Sequence, residues 1–474
     1  MPKQIVRIDE DSAELVERFR AIRAELGVPE GFPPTVTAEA ERVRDQPLVT
    51  VDRDETSVPF CTIDPPGSMD LDQALHIERD GSNYRVRYAI AHLPTFVAPG
   101  GAIDAEARKR GQTVYSPDER TPLHPPEISE GVASLLPGQE RTAYVWDMRV
   151  DATGEGTDVE VYEARVRSVD RFDYEQVQRA IDSGTDDERL ALLKEVGLLR
   201  IAREAERGGA NLPIPDQEVD RQDDGSYVIR FRPPLPAEDW NAQISLMTGM
   251  AAAELMVRAK VGILRTMPPA DQRAIDRFRR QAKALGVVWS DKQSYGEFLR
   301  SLDRDDPKHL ALIYEATSLF RGAGYTPFDG TVPEQREHAA VASTYAHVTA
   351  PLRRLVDRFG LAVCAAISAG EEVPGWAREA LPGIPEVMRT SDQLANAVNR
   401  ACVDATEAAV LRGRVGEDFD AVVVERNDKA AEVQLLEPAV VANAQGPGDI
   451  GDEVKARLTT ADVATSTVRF QLQP

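Results

Sequence analysis

The sequence is poor in cysteine, with three in 474 residues: Cys61, Cys364 and Cys402. They are far apart and odd in number, which excludes a disulfide framework and the paired spacing of a structural zinc site. Long apolar runs are also missing. The best, around residues 361–369, is far short of the roughly 20 residues that cross a bilayer. The opening Met1-Pro2-Lys3-Gln4 runs into Asp9, Glu10 and Asp11 without the apolar core of a signal peptide. The expectation is a cytoplasmic protein with no membrane partner. Positive charge is scarce as well: 56 Lys and Arg stand against 79 Asp and Glu, a net charge of −23. A body of that sign repels phosphate backbones, so any nucleic-acid contact must be confined to a local basic path. Aromatic residues make up only 6% of the chain, which limits stacking platforms for bases.

What is present is ordinary for a folded protein: 42% hydrophobic and 28% charged residues. A chain of this length can hold more than one domain. Residues 11–26 read as an amphipathic helix, capped by Asp11 or Ser12, with Leu15, Phe19, Ile22 and Leu26 at helical spacing. With a second short helix at 37–44, residues 1–46 suggest a small helical domain, helix-turn-helix being one form it could take. From about residue 47 strand-like runs appear at 48–51, 60–63 and 84–90. In the last, Tyr84, Val86, Tyr88 and Ile90 alternate with Arg85, Arg87 and Ala89, the period of a half-buried strand, after a turn at Asp80-Gly81. Further strands are expected at 144–150 and 159–166. Helices are expected at 104–110, 172–206, 240–262, 271–285, 291–302, 308–320, 351–369 and 390–412. After Arg414-Val415-Gly416 short strands return at 419–424, 431–436, 453–459 and 467–472, which suits a small closed barrel of the OB type. The fold class is therefore α+β: a mixed α/β domain over 47–412, a helical piece before it, and a β-barrel over 416–474.

One stretch, 258–283, concentrates positive charge. Arg258, Lys260, Arg265, Arg273, Arg277, Arg279, Arg280 and Lys283 face only Asp271 and Asp276. A solvated helix face is the bland explanation; a nucleic-acid path is the sharper one. The most pointed feature is Thr62-Ile63-Asp64-Pro65-Pro66-Gly67-Ser68-Met69-Asp70-Leu71-Asp72-Gln73-Ala74-Leu75. A strand ends at Asp64, Pro65-Pro66-Gly67 turns the chain, and an extended run from near Asp70 puts Asp70 and Asp72 on one face. Three converging carboxylates would raise one another's pKa unless a cation sat among them. Hard oxygen ligands suit Mg²⁺, with Mn²⁺ as an alternative. An acidic surface loop is the alternative reading.

This string resembles the signature of the ribonuclease II family, the RNB domain. Other pieces match in order: Ala91, Phe96-Val97, Asp104, Ala107, Arg110-Gly111, Val114-Tyr115-Ser116, Pro122-Leu123-His124-Pro125, Ser134-Leu135 and Tyr345-Ala346-His347-Val348-Thr349-Ala350-Pro351-Leu352-Arg353-Arg354. The resemblance runs from about residue 47 to 412. It implies a 3′-to-5′ exoribonuclease that hydrolyses single-stranded RNA to nucleoside 5′-monophosphates. It implies that Asp64, Asp70, Asp72 and Gln73 hold magnesium, with Asp72 the critical carboxylate. Such ions activate water and neutralise a departing 3′ oxygen. Tyr115 corresponds to a tyrosine beside the terminal nucleotide. Arg353 corresponds to an arginine on the scissile phosphate, with an ion pair to Asp357 as its bland alternative. Tyr345, Thr349, Arg354 and Arg265 complete the expected RNA contacts.

The chain also departs from the family pattern. Gln73 stands where an aspartate is usual, and His92 follows Ala91 where Asp is usual. Ala242-Gln243 stand near the place of a Glu-Glu pair. Asp404 and Glu407 are the candidates for a late helical glutamate. Fewer than fifty residues precede the matched region, so the family's two cold-shock barrels are not expected. The closing barrel carries eleven Asp or Glu against five Lys or Arg, so weak RNA binding is expected there. Its aromatics, Phe419 and Phe470, could equally be barrel core. No protein partner is implied, and a monomer is the default. The rival reading is a catalytically weakened RNA-binding protein; a carboxylate-metal hydrolase acting on another phosphodiester is the third.

Overall fold

The computed structural model describes residues 6–7, 12–46, 49–210, 216–221, 227–232, 234–290, 292–303, 306–316, 319–427, 430–435, 438 and 440–473. The cap Asp11 and Leu48 of the first expected strand lie outside them; residues 49–51 form no strand. The centre of the chain is a sheet that curls onto itself. Gln73–Asp80 and Asn83–Ala91 form a hairpin in continuous register from Gln73↔Ile90 to Asp80↔Asn83. Its turn places Gly81 at φ 64°, where a Cβ would be strained. Asn83–Ala91 pairs with Glu140–Val150, which pairs in turn with Gly156–Phe172. That long strand runs parallel to Phe60–Ile63, which returns to Gln73–Asp80. Five strands thus close a ring, with Arg53–Asp54 added at the outside of Gly156–Phe172.

The period-two pattern explains how the ring fills and what covers it. Ala74, Ala89, Ala143 and Ala164 join Phe60, Val145 and Val166 in one cluster. Their neighbours along the strands, Leu75, Tyr88, Tyr144 and Trp146, point the other way, against the helices Glu188–Arg207 and Pro236–Ala259. Small residues on one face permit tight curvature, and large ones on the other anchor the helices. Trp146 is fully buried, and each such side chain contributes roughly 1.5–3 kcal/mol of transfer free energy.

Several boundaries differ from the sequence reading for local reasons. The expected helix at 172–206 is the end of a strand, then Tyr174–Asp182 and Glu188–Arg207, each capped by an aspartate, Asp173 or Asp187. The helix expected to reach 262 stops at Ala259, because Lys260 turns left-handed at φ 60° and Val261–Thr266 forms a strand with Gly324–Asp329. The basic stretch is thereby split between a helix end, that strand and the helix Gln272–Ala284. Much of its charge is spent locally: Arg258 lies 3.6 Å from Glu254, Arg277 donates to Glu315 at 2.8 Å, and Arg279 covers Trp289. It is not one continuous stripe. The helix expected from 351 begins at Leu355, after a turn through Pro351–Arg354.

The helix Ser12–Glu25 buries Leu15, Phe19 and Ile22 in a cluster shared with Val398, Cys402 and the C-terminal barrel. Pro34–Arg44 instead packs Val36, Ala40 and Val43 against Val97, Ile103 and Leu352. The two helices are seated on different parts of the chain. The barrel itself closes five strands: Asp418–Arg426, Ala431–Leu435, Val441–Gln445, Thr467–Leu472 and Glu453–Asp462, in that spatial order. Val441–Gln445 is the strand the sequence reading lacked. Phe419 and Phe470 meet edge to face at 5.8 Å and are buried, so they are barrel core. The three cysteines are buried and free. No helix among the described residues is long and apolar enough to cross a membrane.

Candidate active site

The acidic loop follows directly from the ring strand Phe60–Ile63. Asp64 anchors it by donating its N–H to the Phe172 carbonyl at 3.1 Å. Pro65-Pro66-Gly67 then turns the chain, Gly67 at φ 82°. Ser134 staples the far side: its hydroxyl donates to the Met69 carbonyl at 2.6 Å and accepts the Leu71 N–H at 3.0 Å. Leu135 N–H adds a bond to the Leu71 carbonyl. The expected extended run near Asp70 is a looped approach; the strand begins only at Gln73.

Asp70 and Asp72 therefore face different partners. Asp70 forms an ion pair with Arg120 at 2.6 Å, and Arg120 reaches Glu130 at the same distance. Asp72 is buried. Its Oδ1 accepts the Leu352 N–H at 2.7 Å, and its Oδ2 lies 3.7 Å from Arg353 Nε. Burial pushes the Asp72 carboxyl well above its ordinary range, against the opposing pull of Arg353 and the Leu352 N–H. Burial likewise raises Asp64 to about 6, with Arg353 opposing and Asp70 adding to the rise. Asp64 Oδ2 is buried without a hydrogen-bond partner.

Tyr115 and Arg353 are brought together by backbone pairing. Thr113 N–H donates to the Arg353 carbonyl at 3.0 Å and Leu355 N–H to Gly111 at 2.9 Å, with a bridge between Gln112 and Arg354. Tyr115 itself pairs with Arg120 across the short hairpin Val114–Tyr115 and Arg120–Thr121. One connected patch of backbone thus carries Tyr115, Arg120 and Arg353 to the acidic loop. Tyr115 is 49% exposed. Burial of its hydroxyl end and the nearby Asp70 raise its pKa to about 12. The Arg353 side chain is also 49% exposed, so the site opens to solvent.

The remaining expected residues stand behind this surface. Gln73 donates to the Thr349 carbonyl at 2.6 Å and accepts the Tyr88 hydroxyl, which also meets Ser245 at 2.9 Å. Its amide ties the loop to the Thr349 carbonyl, and its oxygen is engaged by Tyr88. Asp357 pairs with Arg354, at 2.8 and 3.0 Å, and not with Arg353; it also accepts the Ala350 N–H. Tyr345 packs its ring where a Cβ on Gly249 would sit, and its carbonyl accepts the Arg265 N–H. The Arg265 guanidinium lies 4.6 Å over Tyr325 and 3.8 Å from Asp392. His92 is held between Thr95 and Glu163, and Gln243 bonds Glu204. Glu407 accepts the Val441 N–H at 2.8 Å and joins Asp404 in a cavity against the barrel, away from the acidic loop.

A divalent cation fits the donor chemistry: two carboxylates held above their usual range and one buried oxygen without a partner. The expected three-carboxylate cluster is not preformed. Among the described residues no three His, Cys, Asp or Glu side chains stand together closely enough to hold a metal ion, and Asp70 is occupied by Arg120. Arg120 and the stapling role of Ser134 escaped the sequence reading. Ser134 lay inside a matched motif, but only the fold shows what its hydroxyl does.

A ring-closed α+β domain with buried carboxylates facing a half-exposed arginine, followed by an OB-like barrel, defines the class. The chain belongs to the RNB domain family, which it matches over residues 52–360; residues 417–473 match the RNase II-type exonuclease C-terminal S1 domain. It is 29% identical over 350 residues to ribonuclease R of Escherichia coli strain K12, covering 70% of this chain and 40% of that protein. It is 26% identical over 447 residues to ribonuclease R of Thermotoga maritima, covering 88% and 62%. The chain thus spans about two fifths of the length of the Escherichia coli relative. Among solved structures, Mycoplasma genitalium RNase R in complex with ribose-methylated single-stranded RNA superposes with a TM-score of 0.86 at 18% identity, covering 97% of this chain and 78% of that one.

Proposed function

We propose that the chain is a 3′-to-5′ exoribonuclease that hydrolyses single-stranded RNA to nucleoside 5′-monophosphates, with Mg²⁺, or Mn²⁺ in its place, held by Asp64, Asp70 and Asp72. The observation that carries this reading is the Arg353 guanidinium standing half exposed beside buried Asp72. When bound, the cation supplies Lewis-acid activation of water and neutralises developing charge. Arg353 offers its planar fork to the scissile phosphate and is free to strengthen that contact as charge develops. The Leu352 N–H fixes the orientation of Asp72, and Tyr115 offers a ring face to the terminal base or sugar. Gln73 serves this reading better as the tie between the loop and Thr349 than as a full ligand. Arg354 and Tyr345 shape the turn that aims Arg353, with Thr349 and Arg265 beside them. Residues 47–412 are read as the catalytic unit and 416–474 as a weakly binding barrel, in a cytoplasmic setting.

The names of the relatives support an RNA substrate, and Mycoplasma genitalium RNase R is solved in complex with single-stranded and with double-stranded RNA. The test incubates 5′-labelled oligo(A) with the full chain in Mg²⁺ and in EDTA. Progressive shortening from the 3′ end in Mg²⁺ only, with DNA of the same sequence resistant, is expected. Asp72→Asn should abolish shortening while filter binding to the RNA persists. Absent shortening would favour the binding-protein reading, shortening in EDTA would overturn the metal assignment, and equal cleavage of DNA would favour the broader phosphodiesterase.

A further inference from the structure

Away from the acidic loop, a cavity of about 370 Å³ lies where the turn between Glu140–Val150 and Gly156–Phe172 meets Glu188–Arg207 and the last turns of Pro236–Ala259. Arg200 and Arg207, two turns apart on one helix, both line it. Arg200 is 3% exposed. Its Nη1 donates to the Gly154 carbonyl at 2.6 Å, while its Nε is buried with no hydrogen-bond partner. Arg207 Nε is buried and unpartnered too.

Glu204 and Glu155 lie close enough to attract both guanidiniums, yet neither accepts a hydrogen bond from Arg200 Nε or Arg207 Nε. Glu155 accepts from Arg203 at 2.9 Å, Glu204 accepts from Gln243, and Glu254 lies 3.6 Å from Arg258. Asp158 stands at the exposed rim. Burial pulls the Arg200 pKa down to about 10, and the Arg207 charge adds to the fall; Arg207 is lowered chiefly by its own burial. A buried guanidinium with unused N–H groups is costly unless an anion meets it. Met247 and Met250 also line the cavity and present soft, adaptable apolar surface.

We infer that this cavity binds a small organic phosphate monoester, with its phosphate on Arg200 and Arg207 and a flat group of nucleoside size against Met247 and Met250. Guanidinium forks match phosphate oxygens, and the volume falls at the small end of ligand pockets, roughly 300–1,000 Å³. The cavity shares no lining residue with the acidic loop, Tyr115 or Arg353, and its ligand is tested without a divalent cation.

The experiment titrates AMP, inorganic phosphate and adenosine separately into the full chain in EDTA by isothermal calorimetry. AMP should saturate one site below about 1 mM, with phosphate and adenosine each at least about tenfold weaker. Arg207→Gln should weaken AMP by more than about tenfold, with unchanged circular dichroism, and Arg207→Lys should restore part of the loss. Arg353→Ala should bind AMP as the parent does. If Arg207→Gln fails to fold, Met250→Glu, which places a negative charge in the cavity lining, must abolish AMP binding instead. Absence of saturation by about 10 mM, equal binding by Arg207→Gln or Met250→Glu, or loss confined to Arg353→Ala would overturn the proposal. Phosphate binding as tightly as AMP would also overturn it, as a bare anion site.

Discussion

Asp64 makes the site's charge measurable without any turnover. Its carboxyl stands at about 6 in the folded chain against an ordinary 3.8, because burial outweighs the attraction of Arg353. Between those values the folded protein keeps a proton that the unfolded chain has lost, so stability falls as pH rises through that window. The loss is complete above the folded pKa. A shift of about two units at 1.36 kcal/mol each amounts to about 3 kcal/mol. The perturbation is Asp64→Asn, which cannot ionise, and the readout is urea unfolding in EDTA at a series of pH values. The stability of Asp64→Asn relative to the parent should increase by about 2.5 kcal/mol between pH 4 and pH 7.5. For a chain of 474 residues unfolding as one unit, that is a difference of about 3 °C in Tm. Saturating Mg²⁺ should cancel the difference in the parent, since a cation favours the ionised carboxylate; at a hundredfold excess over Kd, binding adds about 2.7 kcal/mol. A difference that stays flat with pH, together with equal stabilisation of both proteins by Mg²⁺, would refute the reasoning.

Arg353→Ala should lower single-turnover hydrolysis by about 10²- to 10³-fold and leave urea unfolding almost unchanged, because the Leu352 N–H, not the guanidinium, makes the close contact to Asp72. Arg354→Ala should do the reverse. It strands fully buried Asp357 and should cost about 3–5 kcal/mol in unfolding free energy, with hydrolysis per folded molecule less affected. Ser134→Ala removes both bonds to the acidic loop. It should cost about 1–3 kcal/mol and raise the Mg²⁺ concentration needed for half-maximal hydrolysis, read from a metal titration.

How much of this was legible beforehand depended on the range of the interaction. The hairpin at 73–91 was written in the alternation of Tyr84, Val86, Tyr88 and Ile90, because that pattern is local and one face is buried. The boundaries at Lys260 and Leu355 were not, since apolar runs there suit helix or strand and tertiary pairing decides. For the site, motif order singled out Asp72, Tyr115 and Arg353, and the structure brings Asp72 and Arg353 together. Which arginine would pair with Asp357 could not be read from spacing, as both Arg353 and Arg354 lie within a helical turn of it. The turn at 351–354, set by Ala350 N–H on Asp357 and Leu352 N–H on Asp72, sends one inward and leaves the other open. Arg120 was invisible because Asp70, the carboxylate it pairs with, lies fifty residues away in the chain and only the fold brings them together.

The same charge distribution argues that metal and RNA depend on one another here. Asp64, Asp70, Asp72 and Glu130 face Arg120, Arg171 and Arg353, so the fully ionised site keeps a surplus of negative charge. A phosphodiester entering that field meets net repulsion at the very place where Arg353 should receive it. Burial moves the carboxyls of Asp64 and Asp72 toward the protonated form, which eases the imbalance in the metal-free protein as pH falls. A divalent cation relieves it more fully, at the cost of displacing those protons, so its affinity must fall toward acid pH. Only then does the half-exposed guanidinium face a phosphate without a surplus of carboxylate behind it. An overall charge of −23 is therefore compatible with the proposed RNA substrate: a cation held in this site, rather than a basic surface, would make the last few ångströms hospitable.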